Sequence, residues 1–212
     1  MNKSFLKRFS IYAALFIFGS LLGFIHENLL TILKGQPQLR QGLIYEPLIP
    51  IYGLGLVLYY LAYTKIKPTS NKISVFLVAF FIGGLFEYGC SYVQEKLFGT
   101  ISWDYSYLLF NFNGRTSLFH AFCWGMAGVA FYELIPHLQH KIQLLEVSWI
   151  RRLVLCLSLF VVCDCMISTM ACYRQEKRRM MIAPKNGIEV FLDEHYPDER
   201  LDSIFNNAQV VK

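Results

Sequence analysis

Charge is what this sequence has least of. Only 17% of its 212 residues are Asp, Glu, Lys or Arg, while 55% are hydrophobic, a balance that a soluble domain of this size does not show. Nucleotide and hydrolase signatures are missing as well. Without G-x-x-x-x-G-K-[ST] the chain cannot itself be a P-loop ATPase, and without G-x-S-x-G or H-E-x-x-H two common hydrolase routes are closed. The six cysteines form no C-x-x-C pair and lie in or at the edge of apolar blocks, so neither a disulfide framework nor a zinc site is expected. Cys163 and Cys165, two residues apart, face different ways on a helix. No small-x-small cleavage pattern follows the basic N-terminus, so the first apolar run is expected to be retained. The chain has no visible long repeat.

What is present is long apolar blocks without alternation or one-sidedness, the mark of lipid as solvent. The fold class expected is an all-α polytopic transmembrane helical bundle. About five spans are predicted at 9–33, 47–64, 73–96, 117–134 and 152–173, with one candidate re-entrant segment at 105–112. Residues 1–173 form the transmembrane domain and 174–212 a polar tail, in which Pro197-Asp198-Glu199 marks a helix start. The stretch 136–149 reads as a loop or interfacial helix. Aromatic residues reach 16%, with 13 tyrosines, in keeping with interfacial belts. The net charge of +5 comes from basic residues that bracket the blocks, such as Lys7, Arg8, the 65–72 loop, Arg151 and Arg152. They are membrane flanks, and nucleic acid is not an expected partner. Flanking Lys and Arg divide nine against nine between the two faces, so the positive-inside rule assigns no orientation, and five versus six crossings stays open.

Three acids fall inside the blocks: Glu27, Glu87 and Asp164. A carboxylate at mid-membrane costs roughly 2.5–3.5 kcal/mol on insertion scales, which makes each a site hypothesis or one half of a structural pair. Gly19, Gly23 and Glu27 share one helical face, and Gly83, Glu87, Ser91 and Glu95 make a second stripe. Glu27 lies about 27 Å and Glu87 about 21 Å from the start of its span at 1.5 Å per residue. Because the first and third spans run the same way, both acids fall in one half of the bilayer. The linkers of that half hold Arg40, Glu46, Tyr52, Trp103, Asp104, Asn111, Asn113 and Arg115, with His120 just inside the fourth span. The candidate substrate-binding set is therefore Glu27, Glu87, Trp103, Asp104, Tyr105, Asn111, Asn113, Arg115, His120 and Asp164.

Bland readings stand beside these. Glu87 pairs structurally with Arg115, Trp103 and the tyrosines anchor the interface, and Asn113-Gly114-Arg115 caps the fourth span. His120 is a general-base candidate or a helix contact. His26, about 100° from Glu27 on the helix, is an interfacial or packing residue rather than a ligand. His137 and His140 make an H-x-x-H with no third ligand at a diagnostic spacing, so no metal and no cofactor is expected. Arg115 offers a planar fork suited to carboxylate or phosphate.

Several of these segments carry a family resemblance: Gly23 to Glu27, GLIYEPLIPIYGLG at 42–55, Phe86-Glu87-Tyr88 with Glu95-Lys96, and WDYSYLLFNFNGR at 103–115. Over about 19–128, with a looser echo at Asp164 and Arg174, the chain resembles the Putative ABC-transporter type IV (permease-like) family of small bacterial membrane proteins. It departs at His26, where the family has tryptophan, at Arg40-Gln41-Gly42, where it has Asn-Arg-Gly, and at Glu46-Pro47, where it has Gly-Pro. The resemblance implies a multi-pass protein of the bacterial cell membrane that transports a small solute or lipid with a separate ATPase subunit. A homo-oligomer is open. Two other readings fit the residues: an integral membrane enzyme acting on a lipid or isoprenoid phosphate, and a non-catalytic scaffold subunit.

Overall fold

The computed structural model describes residues 3–35, 37–66 and 71–211. Five long helices form the bundle: α1 (Lys3–Leu33), α2 (Pro50–Ile66), α3 (Lys72–Phe98), α4 (Leu118–Ile142) and α5 (Ser148–Arg179). Two short helices, α6 (Gly187–His195) and α7 (Asp198–Ile204), lie in the tail. Among the described residues, sheet is confined to two-residue pairs. Strand β1 (Thr100–Ile101) pairs antiparallel with β4 (Gln209–Val210), and β2 (Asn111–Phe112) with β3 (Thr116–Ser117).

Among the described residues, four helices are long and apolar enough to cross a membrane: Leu6–Leu33, Lys72–Phe98, Leu118–Ile135 and Ser148–Arg179. Helix α2 has 17 residues, at the lower end of the spanning range, and lies along α1, so the count of about five stands. The bundle exposes large apolar side chains over its flanks, among them Leu85 at 73% and Leu159 at 66%. A water-soluble monomer does not tolerate so extended an apolar surface. This is a membrane protein.

Small residues set the packing. Gly19 meets the Cα of Gly53, Gly23 lies against the Tyr52 ring, Gly83 against Trp124 and Gly128 against Ala79. Without a hydrophobic drive between helices in lipid, such close approaches supply the association through van der Waals contact. They join α1 to α2 and α3 to α4 as two tight pairs. One core cluster, including Leu15, Tyr59, Ala79, Phe131 and Ile135, ties the pairs together.

Several boundaries differ from expectation. Helix α4 runs through Pro136 to Ile142 and a single 3-10 turn follows at Gln143–Glu146, so 136–149 is mostly continuous helix. Helix α5 begins at Ser148 and ends at Arg179 rather than spanning 152–173, because Arg174, Arg178 and Arg179 beyond the apolar run continue the helix and pair with the tail. The segment 105–112 is no covered re-entrant dip. It folds on itself through Tyr105 N–H to Gly114 O, Leu108 N–H to Tyr105 O and Leu118 N–H to Phe110 O, and it leaves Tyr107, Leu109 and Phe110 exposed. Part of the expected 65–72 loop, 67–70, lies outside the described residues. Among the described residues no sixth long helix occurs. The expected tail helix is there, with α7 opening at Asp198 after Pro197.

The tail folds back. Leu192, Tyr196 and Leu201 bury against Ile44 of the first linker and Ala171 of α5. Arg174 grips Asp193 through Nε and Nη2 at 2.9 and 2.8 Å, and Arg178 bonds both Asp193 and Asp198. Asn206 donates to the carbonyl of Leu39, and Asn207 to that of Ser102. The C-terminal ends of α1, α3 and α5 therefore meet at one end of the bundle.

Candidate functional site

Toward that end two span carboxylates enter neighbouring hydrogen-bonded sets, one around each acid. Glu27 follows Gly19 and Gly23 on the α1 face that packs against α2, and this carries it to Tyr52. The phenol donates to Glu27 Oε1 at 2.5 Å, and Arg40 Nη1 of the first linker donates to Oε2 at 3.0 Å. Glu87, 6% exposed on the glycine stripe of α3, accepts from Thr116 Oγ1 at 2.8 Å and from the Tyr105 phenol at 3.1 Å. Trp124 lies between the halves, its ring 6.2 Å from that of Tyr52 and its indole reaching Glu87. Burial pushes the Tyr105 phenol well above its ordinary value, and the charges of Glu87 and Glu27 push it the same way. His120 stacks on Tyr105 with centroids 3.6 Å apart, and its Nδ1 bonds Ser117 Oγ at 2.8 Å. Donors and acceptors thus alternate from Arg40 through Glu27 and Tyr52 on one side, and from Thr116 through Glu87 and Tyr105 on the other. Such a network can bind a polar group or pass a proton.

Other members of the candidate set lie elsewhere. Asp104 caps its own turn, accepting from Ser106 N–H at 2.8 Å and Ser106 Oγ at 3.0 Å. Asn111 closes the connector on the Leu108 carbonyl and the Gly114 N–H. Asn113 adopts a positive φ and donates to Tyr88. Trp103 donates from its indole to the Arg115 carbonyl at 2.8 Å. Arg115 does not pair with Glu87. Its Nη2 binds Glu95 at 2.5 Å, about 12 Å further along α3 by helical rise, and it lies over Tyr88 and Tyr92. The hairpin β2–β3 sets this register, delivering Thr116 to Glu87 and Arg115 toward the helix end. His26 is also more than a packing residue, since its Nδ1 lies 3.1 Å from the Tyr52 hydroxyl. Two neighbours on a helix can converge on one partner when that partner reaches across between them. The side chain of His140 lies outside the described residues, so the H-x-x-H has no geometry.

Asp164 forms a separate site at the middle of α5. It accepts the backbone N–H groups of Ile44, Tyr45 and Glu46 at 3.2, 2.9 and 3.0 Å, and Ser168 Oγ at 2.9 Å. Three successive amides on one carboxylate form an anion nest, so this acid holds the first linker against α5. Glu46, which the sequence placed in a linker and not among the candidates, turns inward beside it. Both its carboxyl oxygens are buried and accept from no donor. Burial, then a hydrogen bond to Asp164 and the charge of Asp164, push it up from 4.5 to about 8. These causes favour the protonated form of Glu46 beside the Asp164 carboxylate.

Tyr52, Thr116, Trp124 and Arg40 complete the first site. Tyr52 stands among the polar linker residues that the sequence gathers at this end, whereas nothing in the sequence singles out Thr116. Arg40 keeps the linker charge on Glu27 although the motif around it is shifted.

Comparison with curated proteins and with solved structures returns no match. A family model does match. It covers residues 14–169, from α1 through Asp164, stopping short of Arg174 and the tail. It takes in Glu27, Tyr52, Glu87, Tyr105 and Thr116 together with all of α2, α3 and α4 and most of α1 and α5. By that match the chain belongs to the family described as Putative ABC-transporter type IV.

Proposed function

We propose that this chain is a permease-like membrane subunit, resident in a bacterial cell membrane, that moves a small solute or lipid and draws its energy from a separate ATPase subunit. The observation that carries the reading is the convergence of Glu27 and Glu87 on one tyrosine-rich cluster between two helix pairs. Holding two carboxylates in membrane helices is expensive, and their phenol partners, able to exchange a proton or give way to a substrate's polar group, support the reading. The absent nucleotide motif supports a separate energy source. The enzyme reading is weakened by Arg115, whose fork is engaged by Glu95 and so is not offered to a phosphate.

The test is purification of the tagged full chain from its native membranes. An ATP-hydrolysing partner is expected to co-purify. Glu87→Gln is expected to lower turnover of that complex about tenfold or more, the scale of one lost charge-assisted hydrogen bond, with its unfolding temperature retained. A scaffold would give the reverse: lower stability and unchanged turnover.

A further inference from the structure

The other face of α3 borders a cavity that this cluster does not use. It measures about 650 Å³ and lies where α3 and α5 touch only sparsely. Its body is apolar, walled by Ile51, Phe86, Val93, Phe98, Cys165 and Cys172. Its end is polar and is formed where the helices stop and the tail folds back, by Gln94, Ser102, Gln175, Arg179, Asp202 and Asn207. Along α5 the lining runs from Cys165 to Arg179, about 21 Å by helical rise. The long axis therefore grades from membrane interior to interface, as a lipid molecule does.

At the polar end Arg179 is loosely engaged, while Asp202 accepts from Gln175 Nε2 at 2.9 Å through one carboxylate oxygen. Arg179 lies 3.7 Å from Glu176, 3.6 Å from Asp202 and 3.5 Å from the Phe98 carbonyl, all longer than a charge-assisted hydrogen bond. One base, Arg179, and one acid, Asp202, line that end and complement a head carrying both a phosphate and a cation better than a purely anionic one. We propose that the α3–α5 cavity binds a phospholipid with a zwitterionic phosphate–ammonium head, one acyl chain along α5, the phosphate on Arg179 and the ammonium on Asp202. The site is independent of the transport reading, since a lipid can be cargo or a resident that fills the seam.

Gly89 makes the test clean. It lines the cavity, and a Cβ built there meets nothing within 4 Å, so Gly89→Phe starts a side chain into the open space. Binding to the purified full chain is measured by native mass spectrometry with lysophosphatidylethanolamine, lysophosphatidylglycerol and oleate. Wild type is expected to bind the zwitterionic lipid one to one and in preference to the other two. Gly89→Phe is expected to weaken it about tenfold or more, and Arg179→Gln to weaken both phospholipids but not oleate. Should Gly89→Phe not fold, alkylation of the native thiols decides. Bound lysophosphatidylethanolamine must slow N-ethylmaleimide at Cys165 and Cys172 and leave the exposed Cys156 unchanged. Equal binding of all three probes, or protection absent at Cys165 and Cys172, overturns the assignment. Loss of lipid binding with ATP turnover intact, or the converse, separates this site from the Glu27–Glu87 cluster.

Discussion

The two faces of α3 are built on opposite rules. Toward α4 it presents Gly83, Glu87 and Ser91, all buried: the glycine admits the Trp124 ring and the carboxylate is saturated by Thr116 and Tyr105. Toward α5 it presents Phe86, Gly89 and Val93, which border open space. One helix thus carries a closed contact and an open seam, and the same residue type, glycine, has opposite consequences on the two. Helix α5 is held by the Asp164 nest and by the tail's grip on Arg174 and Arg178 more than by packing along its length. A seam held at fixed points and open between them can admit a guest without unpacking the pairs.

The largest expected effect sharpens that contrast. Gly83→Leu drives a side chain into Trp124 and is expected to cost about 3 kcal/mol, the upper range of overpacking. Gly89→Leu, six residues on in the same helix, is expected to be neutral or to stabilise by about 0.5–1 kcal/mol, as a glycine leaves a helix interior. Thermal unfolding in one detergent compares them, and equal losses would erase the distinction between the faces.

A smaller effect concerns how α5 is tethered. Glu46 is held neutral in the fold up to about pH 8, against an ordinary value of 4.5. Between these values the folded state binds a proton that the unfolded chain has released. Its contribution is fully present below about pH 4.5, declines as pH rises and is gone above about pH 8. Unfolding temperatures measured from pH 5 to 8.5 are expected to fall with pH in wild type. In Glu46→Gln the part of that slope due to this residue is expected to vanish. An unchanged slope would mean that Glu46 is not held protonated beside Asp164.

Much of this was legible in the residues. Long apolar runs are what lipid demands, so the five helices stand out, and their acids stand out because each costs free energy to insert. The shared helical face of Gly19, Gly23 and Glu27 also survives, because helical spacing alone determines it. What spacing cannot give is the partner across the gap. Arg115 meets Glu95 and not Glu87 because a hairpin sets the register, and no local pattern encodes that offset. Asp104 and Asn111 look like ligands in composition, yet their side chains are committed to turns. Glu46 was hidden because it lies in a linker, and only the nest at Asp164 draws it inward. The ends of α5 were misplaced because arginines mark a membrane boundary but do not stop a helix.

The most direct test of the two-carboxylate cluster is a double-mutant cycle on ATP turnover of the purified complex, using Glu27→Gln, Glu87→Gln and the pair. If both acids serve one network through Tyr52 and Tyr105, the double variant is expected to be no slower than the worse single, a coupling of at least about 1 kcal/mol. Strict additivity would mean that the two acids act alone, and the shared site would not exist.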